Sequence, residues 1–479
     1  MRIAVIGTGY VGLVSGACFA QAGYRVTCVD VDRAKVDSLT KGRVPIYEPG
    51  LAEVITEARR RRTLVFSSDA KSAASSAEII FIAVGTPPRA FDGHADLSNL
   101  YAVVATIAPA LRDGCLVVVK STVPVGTGDR IEQSLQDLRP DLEFDVASNP
   151  EFLRAGSAVG DFRKPDRVVV GAQSERATSV LASVYATLGV ESARVLKTKR
   201  RSAELIKYAA NGFLATKIAF INEIADLCES LDAQVQEVAQ GIGLDARIGP
   251  QFLSAGPGFG GSCFPKDARA LARTAEECGA RMSIIEAVLA SNDRRKRTIV
   301  GKIRMASGED LRGKRIALLG LTFKAGTDDM RDAPAIALAE TLVEEGASIH
   351  AYDPVGMARA ATLLPSSVRY HGSALEAARS ADVLVIVTEW DEFRHLDLVR
   401  LKRAMATPVL VDLRNIFSEE QVTGLGFAYC GVGHRSAWHR LPMPAEKHHT
   451  PAIGFPESAR SSTRKALTTM KQRGVEAAE

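Results

Sequence analysis

Short, continuous apolar runs punctuate the first part of the chain: RIAVIG at 2–7, RVTCVD at 25–30, EIIFIAV at 78–84 and LVVV at 116–119. None alternates polar with apolar, and the spacers between them are helix-length. That pattern predicts parallel strands covered by helices on both faces. From 202 to about 231 the period changes to that of one long helix, SAELIKYAANGFLATKIAFINEIADLCESL, with apolar residues around much of its circumference. Such a helix is expected to lie buried between domains or between subunits. Helix-like sequence continues to about 297, and a second set of runs then begins: RIALLG at 315–320, SIHAYD at 348–353, DVLVIV at 382–387, and 408–412.

The two sets look like a distant internal duplication. Each opens on a basic residue and an Ile-Ala strand ending in glycine, Gly7 and Gly320, and in each the next strand ends in aspartate, Asp30 and Asp353. The predicted fold is α/β, with two Rossmann-like parallel-sheet domains joined by a long central helix and a helical region. The expected domains span 1–200, 201–300 and 310–440. The segment 441–479 is rich in Pro, Ser, Thr, Lys and His, has no apolar period, and reads as a flexible tail.

Composition narrows the class. A chain of 479 residues suits two or three domains. A net charge of +4 gives no case for nucleic acid, and the basic runs at 59–62 and 294–297 read as solvated helix faces. The seven cysteines include no Cys-x-x-Cys pair, which argues against a disulfide framework or a zinc site and for a reducing compartment. The adjacent His448 and His449 are not read as a metal site, and no metal is expected. With neither a signal-peptide pattern nor a membrane-length apolar run, the expected location is the cytoplasm.

Gly7-Thr8-Gly9-Tyr10-Val11-Gly12 is G-x-G-x-x-G between a strand and a helix, followed at a strand end by Asp30. Glycines there permit a tight turn and close approach of backbone to a pyrophosphate. Asp30 would accept from the ribose hydroxyls and repel a 2′-phosphate, so NAD is favoured over NADP; a nearby Arg33 weakens that preference. Lys35 reads equally as a ribose contact or a solvated residue. The second half has GLTFK at 320–324 in place of the glycine motif, so it is expected to bind a different ligand. Lys324 and Arg331 follow its first strand and could neutralise phosphate, or be solvated.

The stretch GPGFGGSCFPKD at 256–267 carries the chemistry. Its glycines let backbone approach a ligand, and Pro265 marks a helix start. Cys263 thus sits at a helix N-terminus beside Lys266, a setting expected to favour thiolate. A nucleotide site with a reactive thiol suggests aldehyde oxidation. Attack by sulfur creates a tetrahedral carbon able to give up hydride, and leaves a thioester for water to cleave. Lys207, one turn from Asn211 in the apolar helix, must face a partner, water or a site. It reads as an oxyanion donor or as a snorkelling side chain. Asp267 could hold that charge or an ordered water. Glu151 and Thr122, both at strand ends, could serve water or cofactor.

With these residues in view, the chain resembles the UDP-glucose 6-dehydrogenase family from 1 to about 433. The resemblance is carried by IAVIGTGYVGL, GTPP at 85–88, STVPVGT from Ser121, NPEFLRAGSAVGDFRKPDRVVVG from Asn149, KYAANGFLATKIAFINE from Lys207, GIGLDARIG from Gly241, GPGFGGSCFPKD from Gly256 and GLTFKAGTDDMRDAP from Gly320. It implies four-electron oxidation of UDP-glucose with two NAD in sequence and Cys263 as nucleophile. It implies that Lys207, Asn211 and Asp267 support oxyanion and water, and that Glu151 and Thr122 serve the water chemistry. Glu151, Phe152, Leu153, Lys207, Asn211, Phe252, Leu253, Gly260, Lys324 and Arg414 fall at substrate positions. Gly7, Gly9, Val11, Gly12, Asp30, Lys35, Thr86, Thr122 and Arg331 fall at cofactor positions. Arg247 is implied to reach a neighbouring subunit's site, the middle region to form a homodimer or higher homo-oligomer, and the last domain to bind UDP-sugar. Three departures stand out: Ala155 where the family commonly has Glu, Gly212 for a usual Ala, expected to loosen the helix, and DLRN at 412–415, which keeps Arg414. Alternatives are the same chemistry on GDP-mannose or UDP-N-acetylmannosamine, a two-electron dehydrogenase, and a non-catalytic NAD-binding regulator.

Overall fold

The first eight strands form one sheet: β1 (Arg2–Ile6), β2 (Arg25–Val29), β3 (Leu64–Ser67), β4 (Ile79–Ile82), β5 (Cys115–Val119), β6 (Phe144–Ser148), β7 (Val168–Ala172) and β8 (Val195–Thr198). The computed structural model describes residues 1–89 and 93–434. The strand order is β3-β2-β1-β4-β5-β6-β7-β8. A second sheet, in the order β11-β10-β9-β12-β13-β14, is built from β9 (Arg315–Leu319), β10 (Ser348–Tyr352), β11 (Arg369–Tyr370), β12 (Val383–Ile386), β13 (Val409–Asp412) and β14 (Ala428–Cys430). Its order repeats that of the first six strands, as a duplicated doubly wound half would.

Both faces of each sheet are covered, which is why the strand sequences do not alternate. Ile3 and Val5 pack with Leu13 and Phe19 on one side of β1, while Ala4 and Ile6 pack with Leu100 and Val104 on the other. The second sheet divides in the same way, Ile316 and Leu318 against Leu338 and Leu342, Ala317 and Leu319 against Ala377 and Phe393.

One strand pair departs from the expected all-parallel sheet. β6 and β7 run antiparallel, through Ala147↔Ala172 and Ser148↔Gly171. Strands β3, β7, β8, β11 and β14 were not foreseen; all but β7 lie at sheet edges, where little apolar sequence is needed.

The long helix Arg200–Leu231 has 32 residues, about 48 Å of rise. Its first half buries a polar face: Arg200, Glu204, Lys207 and Asn211 follow one another at helical spacing. Arg200 bonds Asp129 and Glu132, and Glu204 accepts from Gly126 N, Gly128 N and Ser148 Oγ at 2.6–2.9 Å. On the opposite side Leu205, Phe213, Phe220, Leu227 and Leu231 are exposed, Phe213 and Leu231 to about two-thirds. The helix continues unbroken through Gly212. A Cβ there would lie 3.0 Å from Ile285 Cδ1 and 3.3 Å from Leu271 Cδ2, so the glycine lets two other helices pack close.

Among the described residues no helix is long and apolar enough to cross a membrane. The tail, 441–479, with His448 and His449, lies outside the described residues.

Candidate active site

Beyond the carboxyl end of β1 the chain turns into the helix Tyr10–Gln21, with Gly9 as its N-cap. A Cβ on Gly12 would stand 1.9 Å from the Gly7 carbonyl oxygen, whereas nothing lies within 4 Å of one on Gly9. The turn is therefore closed underneath and open above, a cradle shaped for the approach of a diphosphate. Val11 lies in the first turn of that helix. Asp30, just past β2, accepts from Thr8 N at 2.9 Å, Thr8 Oγ1 at 2.6 Å and Lys35 Nζ at 2.9 Å. Burial alone would raise its carboxyl, but these hydrogen bonds bring it down to about 2. Lys35 thus holds the aspartate. Thr86 and Thr122 meet at the ends of β4 and β5, where Thr86 Oγ1 donates to Thr122 O at 2.8 Å.

The aspartate at the matching place in the second half has another use. Asp353 accepts from Leu321 N, Thr322 N, Val355 N, Gly356 N and Trp390 Nε1 at 2.7–3.2 Å and is fully buried. It pins loops together and is not free to greet a ribose.

Cys263 caps the helix Phe264–Glu277, with Pro265 in its first turn, as the sequence requires. The glycine loop before it is held by side chains: Asn222 Oδ1 accepts from Gly256 N at 2.8 Å and Asn292 Oδ1 from Phe259 N at 2.8 Å. The loop also docks on the second half. Gly261 N donates to Arg331 O at 2.8 Å, and a Cβ on Gly260 would sit 2.2 Å from Asp332 O.

Five predicted residues converge around the sulfur. Lys207 Nζ donates to Glu151 Oε1 at 3.1 Å, and Asn211 Nδ2 to Asp267 Oδ2 at 2.6 Å. Lys266 Nζ contacts the other Asp267 oxygen at 2.7 Å, which ties up the charge expected to face the sulfur. Glu151 Oε2 accepts from Leu153 N at 2.6 Å. Burial would strip Lys207 of its proton, but the charges of Glu151, Cys263 and Asp267 prevail and hold it as ammonium.

The expected thiolate is corrected here. Burial pushes the Cys263 thiol up, the Glu151 and Asp267 charges add to this, and Lys207 only partly opposes them. Enclosure and the two carboxylates thus favour the thiol form of this sulfur.

Phe152 stands between two cations, with Arg167 over its ring at 3.8 Å and Lys207 at 5.3 Å from the centroid. Phe252 and Phe259 flank Phe264 at centroid distances of 6.0 and 6.2 Å. From the second half come Arg331, whose charge reaches Cys263, half-buried Lys324, and Arg414, which bonds Val387 O at 2.7 Å and pairs with Glu389 at 3.0 Å. Two residues stay apart. The Leu253 side chain belongs to the apolar core, and Arg247 is exposed, paired with its own Asp245 at 2.6 Å.

Sequence reasoning missed Glu48, whose carboxylate accepts from Tyr10 Oη, Gly156 N and Ala158 N and so ties the cofactor turn to the loop after Glu151. It also missed Lys120, a lysine closing the LVVV run. A charge abutting a buried strand is a signal that could have found it.

Three consecutive family models match the chain: the UDP-glucose/GDP-mannose dehydrogenase family NAD binding domain at 1–189, its central domain at 201–294 and its UDP binding domain at 317–419. The chain is 52% identical to UDP-glucose 6-dehydrogenase of Rhizobium meliloti (strain 1021) over 435 residues, 90% of this chain and 99% of the relative. A solved UDP-glucose dehydrogenase from Pyrobaculum islandicum superposes with a TM-score of 0.83 at 40% identity, covering 90% of this chain and 98% of that one. The UDP-D-ManNAc dehydrogenase of Pyrococcus horikoshii superposes at 0.79 with 28% identity, covering 90% and 99%.

Proposed function

The chain belongs to the UDP-glucose/GDP-mannose dehydrogenase family and is an NAD-dependent oxidoreductase, and from that premise we propose that it oxidises the 6-hydroxymethyl of UDP-glucose to the carboxylate through a Cys263-bound intermediate. The observation that carries the reading is the meeting of Cys263, Lys207, Glu151, Asn211 and Asp267 in one network at the mouth of the glycine loop. The names of the similar proteins reported above and the UDP binding domain model support the choice of sugar nucleotide.

Bound NAD supplies the hydride acceptor, one molecule for each of two oxidations. The first removes a hydride and a proton from the alcohol and leaves an aldehyde. Sγ of Cys263 then bonds the aldehyde carbon, its proton passing to a carboxylate of the cluster. The negative charge that gathers on the sugar oxygen faces Lys207, which is already protonated and fixed by Glu151. Loss of the second hydride turns the thiohemiacetal into a thioester. Glu151 draws a proton from water, the hydroxide equivalent adds to the thioester carbon, and the thiolate leaves. Asn211 holds Asp267 in place beside the sulfur. Lys324 and Arg414 provide positive charge for the diphosphate of the sugar nucleotide, and Arg331 provides it on the cofactor side.

The same reading makes the enzyme a cytoplasmic homodimer or higher homo-oligomer. The exposed row Leu205, Phe213, Phe220, Leu227 and Leu231 supports a second copy packing along the long helix, and exposed Arg247 is then free to reach its neighbour.

Counting NADH released per UDP-glucose consumed tests the chemistry. Two per sugar is expected; one would leave a simple alcohol dehydrogenase, and none would leave a regulator or another sugar. Cys263→Ala is expected to abolish net uronate, and full uronate from that variant would end the covalent reading.

A further inference from the structure

Lys120 is 2% exposed at the end of β5, and no carboxylate pairs with it among the described residues. Its Nζ meets neutral acceptors only: Asn149 Oδ1 at 3.1 Å, Tyr185 Oη at 3.2 Å and Asn149 O at 3.4 Å. The rings of Phe162 and Tyr185 lie over it, each at 5.9 Å. Asn149 is itself fixed, taking a hydrogen bond from Tyr185 Oη at 2.5 Å and donating to Val169 O at 2.8 Å. Keeping an unpaired ammonium dry is costly, and a methionine would fill the space without that cost. Asn149 stands two residues before Glu151, and Lys120 two before Thr122.

We propose that Lys120 is a positioning residue for the hydrolytic step: its buried ammonium ties the turn carrying Glu151 to the strand end carrying Thr122 and adds a positive charge facing Glu151, which Lys207 contacts directly. The groups that face Lys120 are Glu151 from the turn after β6, Lys207 from the long helix and Tyr185 from the helix Glu175–Thr187. Burial pulls the ammonium down to about 8, Glu151 resists this and Lys207 adds to it. The positioning charge is therefore largely present at neutral pH and lost as pH rises through about 8.

This inference rests on the reading of Glu151 given above. The test compares wild type with Lys120→Met, following kcat for uronate against pH, KM for NAD, and acid-quenched protein by mass spectrometry. Lys120→Met is expected to lower kcat about tenfold or more, move the acid limb of kcat upward by ~0.5 to 1 pH unit, leave KM for NAD within about twofold, and accumulate sugar-modified Cys263. An unmoved acid limb with no accumulated adduct would overturn the inference. If Lys120→Met fails to fold, Tyr185→Phe reads the same idea from the alkaline side. Losing one acceptor of the ammonium is expected to start the alkaline fall of kcat at lower pH, and an unchanged alkaline limb would overturn it. A wild type that makes no uronate defeats the reading of the site; a wild type that makes it, with variants of unchanged profile, defeats the role of Lys120 alone.

Discussion

At Cys263 two influences oppose each other. The helix N-terminus favours a thiolate, while burial and the carboxylates of Glu151 and Asp267 favour the thiol, and the second group prevails. The resting enzyme should therefore be hard to alkylate at its most important sulfur. With iodoacetamide at pH 7.5, exposed Cys278 is expected to be labelled well before Cys263, and Glu151→Gln to speed labelling of Cys263 several-fold. Peptide mapping by mass spectrometry reads both rates; a Cys263 that reacts first in the unmodified enzyme would contradict this balance. The place of Cys263 at a helix N-terminus was legible because glycines, proline and cysteine lie contiguously in the chain. Its protonation was not, because the two carboxylates come from positions 151 and 267 and meet the sulfur only in the folded molecule.

Among the elements, most strands with both faces buried were legible, since a continuous apolar run is hard to mistake, although buried β7 was not read. The turn of direction between β6 and β7 left no such mark, because strand polarity depends on the path of the connection and not on the residues in the strand. The long helix was legible as buried but not as to how: its inward face toward the site is Arg200, Glu204, Lys207 and Asn211, each satisfied by a distant partner. The loop 256–261 shows how elements of the two halves are joined. Gly260→Ala would drive a methyl into Asp332 O, a backbone atom with no rotamer to escape by. A loss of about 2 kcal/mol or more is expected, together with a large fall in kcat. Thermal unfolding and turnover assays check both, and a variant of unchanged Tm and kcat would show that the loop has slack at that contact.

For the molecule as a whole, the apolar row along the long helix sets the state of assembly in the reading proposed. Phe213 and Phe220 lie in that row, far enough apart in the sequence to span two turns. The double change Phe213→Glu and Phe220→Glu is expected to shift the mass in sedimentation from a dimer to a monomer, with little change in helical circular dichroism. A dimer that persists would place the contact on another surface. The duplication itself was legible from paired motifs, yet the divergence of its halves was only partly so. The missing glycine turn could be seen, whereas the fate of Asp353 could not, because its partners come from three separate loops. That fate reaches into the timing of the reaction. With its second aspartate locked inward, each chain keeps one berth for a dinucleotide. In the reading proposed, removing four electrons from a single carbon then obliges the protein to discharge a spent carrier and admit a fresh one halfway through turnover. The half-oxidised sugar has to outlast that exchange, so retention of an unfinished product becomes the quantity that this architecture must guard.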